Sequence, residues 1–416
     1  MGRRVIWIVI DSVGAGMLPD ADRYGDAGAD TIGHILDSFP DTDLPNMARL
    51  GLYEIDGTSF KGKKSVHVEG CYGRSLEKSK GKDTTTGHWE MIGIYTKKPF
   101  PTYPDGFPKE IIDEFIERTG CGGIYGNKVA SGVPIIGEYG EKHMKTGYPI
   151  IYTSADSVFQ IAASEEKVGL DKLYEMCHIA RELLQGEHAV GRVIARPFVR
   201  VRNASKDAAM HEVDIKPIGG FERTANRRDF ALEPDRNNIL THIKDAGKTV
   251  AAVGKISDIF ANVGITDEIH TTGNSDGLSK TLDYMQTVQE GLIFTNLVDF
   301  DMKFGHRRDT LGYRNALVEF DNWLGENLYK LKEDDILIIN SDHGCDPTYK
   351  GSDHTREYIP VLIYGKNLEK NVNLGTLSSF ADIGKTVEDY ILGANAEESD
   401  KLIGESFLKK IYKENI

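Results

Sequence analysis

The stretch DDILIINSDHGCDPTYKGSDH, residues 334–354, carries an apolar run and two Asp-His pairs in one short segment. Ile336 to Ile339 is unbroken, apolar and rich in β-branched side chains, the pattern of a strand covered on both faces of a parallel sheet. Polarity returns abruptly behind it. Asn340, Ser341, Asp342 and His343 therefore fall at the carboxyl end of that strand, where open α/β sheets bind their ligands. Gly344 permits a turn, and Asp353 with His354 brings back a second imidazole. Carboxylate and neutral imidazole are donors for a divalent transition ion such as zinc or manganese. A capping Asp beside a surface His would explain either pair alone; two pairs this close favour a metal.

Working outward, the same pattern opens the chain. The run Val5 to Ile10 ends in Asp11-Ser12-Val13-Gly14, again a carboxylate at a strand end with a glycine behind it. A lone strand-end Asp is commonly a cap, so Asp11 counts as a ligand candidate only through its company. A third strand, Leu292 to Val298, precedes Asp301 and His306, which are five apart and can curl to one metal from a loop. If one sheet edge gathers these positions, they suffice for two metal ions. Two ions roughly 4 Å apart clamp the attacking and leaving oxygens of an in-line phosphoryl transfer. The nucleophile candidate lies in Gly81-Lys82-Asp83-Thr84-Thr85-Thr86-Gly87-His88-Trp89-Glu90. Threonine needs a base or a metal to become nucleophilic, and the alternative here is a helix N-cap with threonine-rich turn chemistry. A Walker A loop is excluded, because Leu76 replaces its first glycine and Asp83 follows the lysine.

A chain of 416 residues implies two domains, or one core with a large insertion. Its net charge of −14 argues against nucleic-acid binding, so an anionic substrate needs a locally basic pocket or metal ions. Four cysteines without C-x-x-C spacing fit a reducing compartment and no disulfides. The apolar run before Asp11 is too short for a signal-peptide core or a membrane span, and the reading is a cytoplasmic protein with no membrane partner. Pro99, Pro101, Pro104 and Pro108 mark a boundary, and alternating strand and helix texture resumes at Leu232-Glu233-Pro234-Asp235. Residues 98–235 thus read as an inserted α+β domain, with helices at Glu110 to Arg118 and Leu170 to Leu184. Residues 1–97 and 236–416 form the core. Within the insert, Asp156 and Arg196 each lie at the end of an apolar run, and Arg223, Arg227 and Arg228 cluster further on. Such arginines are either a phosphate clamp or a solvated face. In the core, Lys255 stands at the end of the strand Val250 to Val253, and an amphipathic helix is expected over Arg314 to Leu331.

The motifs DSVGAG at Asp11, GKDTTTGHWE at Gly81, YTSADS at Tyr152, GRVIARPF at Gly191, GKISDI at Gly254, NLVDFD and FGHRRD around Asp301, and SDHG with SDHTREY after Asp342 recur in order along nearly the whole chain. Together they resemble the phosphopentomutase family of the alkaline phosphatase superfamily. The resemblance implies an α/β fold: an alkaline-phosphatase-like core with a central, mostly parallel sheet flanked by helices, and the insert as a cap. It implies two divalent ions, usually manganese, one held by Asp11, Asp342 and His343 and the other by Asp301, His306 and His354. Thr84 would be the phosphorylated residue, with Asp156, Arg196 and Arg227 of the cap and Lys255 of the core contacting substrate. The activity implied is interconversion of ribose 1-phosphate, or its 2-deoxy analogue, with the 5-phosphate. It proceeds through a phosphothreonine and a bisphosphate intermediate, with a sugar bisphosphate as activator, and belongs to nucleoside and pentose phosphate metabolism. The polar stretch Val201 to Gly219 leaves Arg223 and Arg228 as alternatives to Arg227. Cys345 departs from the small polar residue expected there. A phosphohydrolase or another sugar-phosphate mutase on the same core is the nearest enzyme alternative, and a non-catalytic sugar-phosphate sensor the alternative of another class; only an enzyme needs Thr84.

Overall fold

The structure, a computed structural model, describes residues 2–64, 66–154, 157–201, 220–393 and 402–413. In chain order its strands are β1 (Arg4–Ile10), β2 (Cys71–Ser75), β3 (Tyr125–Val129), β4 (Ile150–Thr153), β5 (Val158–Ser164), β6 (Arg192–Arg200), β7 (Phe221–Arg223), β8 (Arg228–Ala231), β9 (Thr249–Val253), β10 (Asp267–Ile269), β11 (Gly291–Leu297), β12 (Asp335–Asn340), β13 (Ile359–Tyr364) and β14 (Val372–Leu377). The chain divides into two compact units, Met1–Pro99 with Pro234–Ile416, and Phe100–Glu233.

The first unit is built on an eight-stranded sheet of order β10-β9-β11-β1-β12-β13-β2-β14. Only β13 runs against its neighbours; every other pairing is parallel. β1, β11 and β12 are buried along their whole length, as unbroken apolar runs require. Ile6, Ile8 and Ile10 pack into one core with Leu317, Phe320 and Leu324 of a helix over Thr310–Asn327. That helix starts a turn earlier than its apolar stripe suggests, because Asp309 accepts from Gly312 N at 2.9 Å and caps it; it ends in a short 3₁₀ turn, Leu328–Lys330. On the other face of β1, Trp7 stacks on Phe294 at 4.6 Å and donates to Asn340 Oδ1 at 2.6 Å. At the amino ends of these strands Arg4 is fully buried, bonded to Asp335 at 2.9 and 2.6 Å and to the carbonyls of Met285 and Val288.

Register sets where the chain leaves this sheet. Val9 lies opposite Asn340, Ile10 opposite Leu297, and Thr295 opposite Val253. The segments after β1, β9, β11 and β12 therefore emerge side by side at one carboxyl edge.

The second unit has a mixed sheet, β3-β4-β5-β6-β7, with β8 also paired to β6. Alternation along β5 divides its core: Phe159, Ile161 and Ala163 pack with residues of the helices Lys109–Thr119 and Leu170–Leu183, and Ala162 with those of Gly132–Thr146.

Candidate active site

Asp11 follows β1 and is buried, with Oδ2 accepting from Asn296 Nδ2 at 2.8 Å. The next residue, Ser12, has a φ of 65°, an uncommon conformation for a side-chain-bearing residue, and its N–H donates to Asp342 Oδ1 at 3.0 Å. This sharp turn ties the end of β1 to the end of β12. Asp342 and His343 are both inaccessible to solvent. His343 gives its Nδ1–H to the Gly344 carbonyl at 3.1 Å, which turns Nε2 toward Asp11 Oδ1 at 3.4 Å and Asp342 Oδ2 at 3.3 Å.

Asp301 lies in a π turn, Phe300–Gly305, that His306 directly follows, rather than in the loop their spacing suggests. His306 N–H donates to the Asp301 carbonyl at 3.1 Å, the i to i+5 bond that brings residues five apart onto one face. Asp301 Oδ2 lies 3.3 Å from His306 Nε2, and Oδ1 lies 3.3 Å from His354 Nε2. His306 donates Nδ1–H to the Ser352 carbonyl at 2.6 Å, again leaving Nε2 aimed inward. The His354 ring sits 4.1 Å from that of His343 and 4.6 Å from that of His306. Ligand atoms come within 4.8 Å of one another in three overlapping groups: Asp11, Asp342 and His343; Asp301, His343 and His354; and Asp301, His306 and Cys345.

The charge arrangement calls for a cation. Burial, with the charges of Asp342 and Asp301, raises the Asp11 carboxyl well above its ordinary value. Burial acts in the same sense on Asp301 and Asp342, yet His354 and His306 draw Asp301 well below the usual range, and His343 and His88 draw Asp342 down to about 2. His306 is pushed up to about 11, chiefly by its bond to Asp301. Asp11 Oδ1, Asp301 Oδ1 and Asp342 Oδ2 are buried against imidazole nitrogens at 3.2 to 3.4 Å, and no other hydrogen-bond partner meets them among the described residues. Three carboxylates gathered this closely repel one another, as the raised Asp11 carboxyl reflects, and a divalent ion between them would offset that repulsion. The donor set fits such ions.

Thr84 is the first residue of a helix, Thr84–Met91, so the threonine-rich turn and the strand-edge cluster are parts of one arrangement. Asp83 caps it, accepting from Thr86 N at 3.1 Å and Thr86 Oγ1 at 2.6 Å. Thr84 Oγ1 lies 3.1 Å from His343 Nε2. Three residues that sequence reasoning did not single out hold it there. His88, one turn on, donates Nδ1–H to the Thr84 carbonyl at 2.9 Å and lies 3.2 Å from Asp342 Oδ2. Gly87 lets the helix touch the β12 edge: a Cβ there would lie 2.1 Å from the Asp342 carbonyl oxygen. Arg356, fully buried and ion-paired with Glu77 at 2.6 Å and Asp20 at 3.1 Å, donates to the Gly81 carbonyl at 2.6 Å and fixes the approach to the helix. The available signals were the i,i+4 spacing of Thr84 and His88 and the arginine within SDHTREY.

Lys255, exposed after β9, acts on Asp11 as a favourable charge. In the second unit Arg196 bonds Gln160 at 3.0 Å; burial and the like charges of Arg227 and Arg223 pull its pKa down. Arg227 forks onto Asp229 with two bonds of 2.8 Å. Arg228 instead lies over the rings of Tyr174 and Phe230, which leaves Arg223 and Arg227 as the companions of Arg196. Asp156 lies outside the described residues.

Residues 3–394 match the family model of the Metalloenzyme superfamily, which agrees with a donor cluster at the edge of a mostly parallel sheet: the chain is a metalloenzyme with an α/β core that uses divalent metal. It is 56% identical over 389 residues to the phosphopentomutase of Clostridioides difficile (strain 630), covering 93% of this chain and 95% of that one. To the phosphopentomutase of Clostridium novyi (strain NT) it is 53% identical over 414 residues, 99% of this chain and 100% of the other. The chain belongs to the phosphopentomutase family, and is an isomerase of the intramolecular phosphotransferase kind. Among the described residues no helix is long and apolar enough to cross a membrane.

Proposed function

We propose that the chain interconverts ribose 1-phosphate, or 2-deoxyribose 1-phosphate, with the 5-phosphate in the cytoplasm, through a phosphorylated Thr84 and a sugar bisphosphate. The observation that carries this reading is Thr84 Oγ1 at a helix N-terminus, 3.1 Å from His343 Nε2 amid the donor cluster. The names of relatives at 50–56% identity support the substrate class. Two divalent ions, manganese by resemblance, would be held by Asp11, Asp342 and His343 and by Asp301, His306 and His354. When bound, they supply positive charge against the charge developing on transferring phosphoryl oxygens.

The chain's own residues do the rest. Phosphate on Thr84 sits at the positive end of its helix, which favours an anion there. The phosphoryl group passes from Thr84 Oγ to the free hydroxyl of the bound sugar phosphate, and the proton lost by that hydroxyl ends on Thr84 Oγ. The resulting bisphosphate turns over and returns its other phosphoryl group to Thr84, so each cycle ends with the enzyme phosphorylated. A sugar bisphosphate primes the first cycle. Asp156, Arg196 and Arg227 of the inserted residues 98–235, with Lys255, serve as substrate contacts. Support for the arginines comes from their clustering: burial, with the like charges of Arg227 and Arg223, lowers the pKa of Arg196, and a bound phosphate relieves that strain.

The experiment is a simultaneous assay of inorganic phosphate and both sugar phosphates, with wild type and Thr84→Ala at equal metal content. Isomerisation with little phosphate release, abolished by the substitution, is expected. Phosphate release as the main product would establish a phosphohydrolase instead, and near-wild-type isomerisation by the variant would remove Thr84 from the reaction.

A further inference from the structure

In the sheet of the second unit, β5, β6 and β8 bring Gln160, Ile194 and Asp229 into one transverse row, because Gln160 pairs with Ile194 and Ile194 with Asp229. Side chains alternate between faces along a strand, so Arg196, two residues beyond Ile194, stands on the face that carries this row. Each of two guanidiniums is held there by its Nε edge. Gln160, 4% exposed, accepts from Arg196 Nε at 3.0 Å, and Asp229 accepts from Arg227 Nε and Nη2 at 2.8 Å each. Among the described residues the two guanidiniums make no other hydrogen bond, so both Nη groups of Arg196 and Nη1 of Arg227 keep their donors for something else. An ordinary ion pair would account for Arg227 and Asp229 alone, but not for the company they keep. The charges acting on Arg196 are those of Arg227, Arg223 and Asp229, three guanidiniums to one carboxylate in a chain of net charge −14. Burial would raise the Asp229 carboxyl, yet its bonds to Arg227 and the charges of Arg192 and Arg196 hold it below the usual value.

We propose that Gln160 and Asp229 are positioning residues for phosphate recognition: they fix Arg196 and Arg227 by their Nε edges, so that the remaining Nη groups meet the phosphate of a pentose phosphate. The proposal rests on the reading of Arg196 and Arg227 as substrate contacts. A guanidinium binds phosphate through a planar fork, so the orientation of its plane counts as well as its charge. A fork fixed beforehand loses little side-chain freedom when the anion arrives, whereas each long side chain ordered on binding weakens it by roughly 3–10-fold. Gln160 orients Arg196 without adding charge. Asp229 acts in two opposite ways, since its carboxylate repels an anion while its two bonds orient Arg227.

The test measures calorimetric binding of ribose 5-phosphate to the full, manganese-loaded chain, with KM and kcat determined on the same preparations. Gln160→Leu should raise Kd and KM by roughly 3–10-fold, with the loss appearing in KM rather than in kcat, as expected when a ground-state contact is weakened. Gln160→Met provides the same reading should the leucine variant fail to fold. Asp229→Asn removes the repelling charge and one strong acceptor together, and positioning requires that binding still weaken. Unchanged or tighter binding in either the Gln160 or the Asp229 variant overturns the inference, even if thermal stability falls, provided that Arg196→Ala and Arg227→Ala both weaken binding. No change of Kd in those two arginine variants removes the substrate-contact reading beneath it, and the inference with it.

Discussion

Replacing Gly87 by alanine should slow isomerisation about a hundredfold without removing bound metal. An alanine Cβ would lie 2.1 Å from the carbonyl oxygen of Asp342, 2.9 Å from its carbonyl carbon and 3.2 Å from its Cα. All three are backbone atoms of the β12 edge and cannot swing aside. Ordinary contact begins at 3.4 Å, so the helix Thr84–Met91 must withdraw by about 1.3 Å, the difference from 2.1 Å. Thr84 moves with it, away from His343. A misplacement of about 1 Å in a reacting group costs on the order of 10²-fold in rate. Alanine favours a helix over glycine by roughly 1 kcal/mol, against an overpacking cost of ~1–3 kcal/mol, so the fold should survive. The assay is steady-state isomerisation of ribose 1-phosphate, with metal content and thermal unfolding measured on the same preparation. A variant within about threefold of wild type, with metal and melting temperature unchanged, would refute the claim that helix-to-strand contact positions Thr84.

His354→Ala and His343→Ala should each lose one metal ion, from different positions, as elemental analysis of the purified variants would reveal; both ions retained in both variants contradicts the assignment. Asp335→Ala strands the buried Arg4 charge, far from the ligand edge, and should lower unfolding free energy by about 3–5 kcal/mol in urea titrations while leaving kcat at 25 °C unchanged. Glu357, wholly buried, accepts from Gly16 N, Thr31 N and Oγ1, and Thr355 Oγ1, and burial raises its carboxyl to about 7. A carboxyl raised on folding contributes stability that is complete below its unfolded value and lost as pH rises through the folded one. The rise from an ordinary 4.5 to about 7 corresponds to about 3 kcal/mol, so Glu357→Gln should gain on wild type in melting temperature between pH 5 and 8; parallel curves would contradict the raised carboxyl.

Strand ends were the most readable part of the chain. A buried parallel strand is an unbroken apolar run, and its termination is as plain as its content, so Asp11 and Asp342 could be placed at an edge from composition alone. Asp301 and His306 were readable as a pair but not as a π turn, since that turn comes from one misplaced backbone bond and leaves no period in the side chains. The outer strands β2 and β14 escaped for a different reason. CYGRS and VNLGTL are short, interrupted by glycine and mixed in character, and they are strands because β13 and β2 offer them hydrogen bonds. Arg356 and Glu357 run against the expectation that charge lies outside. Each is 1% exposed because partners distant in sequence, Glu77 and Asp20 for one and Thr31 for the other, meet it inside the fold.

Phosphoryl transfer through Thr84 is tested most directly by following the phosphate itself. Manganese-loaded protein, incubated with radiophosphate-labelled ribose 1,5-bisphosphate, denatured and digested, should carry label on the peptide containing Thr84 and on no other. A chase with unlabelled ribose 1-phosphate should move that label into sugar phosphate at a rate no slower than kcat. Label absent from the Thr84 peptide, or released to water faster than it reaches sugar, would contradict the mechanism.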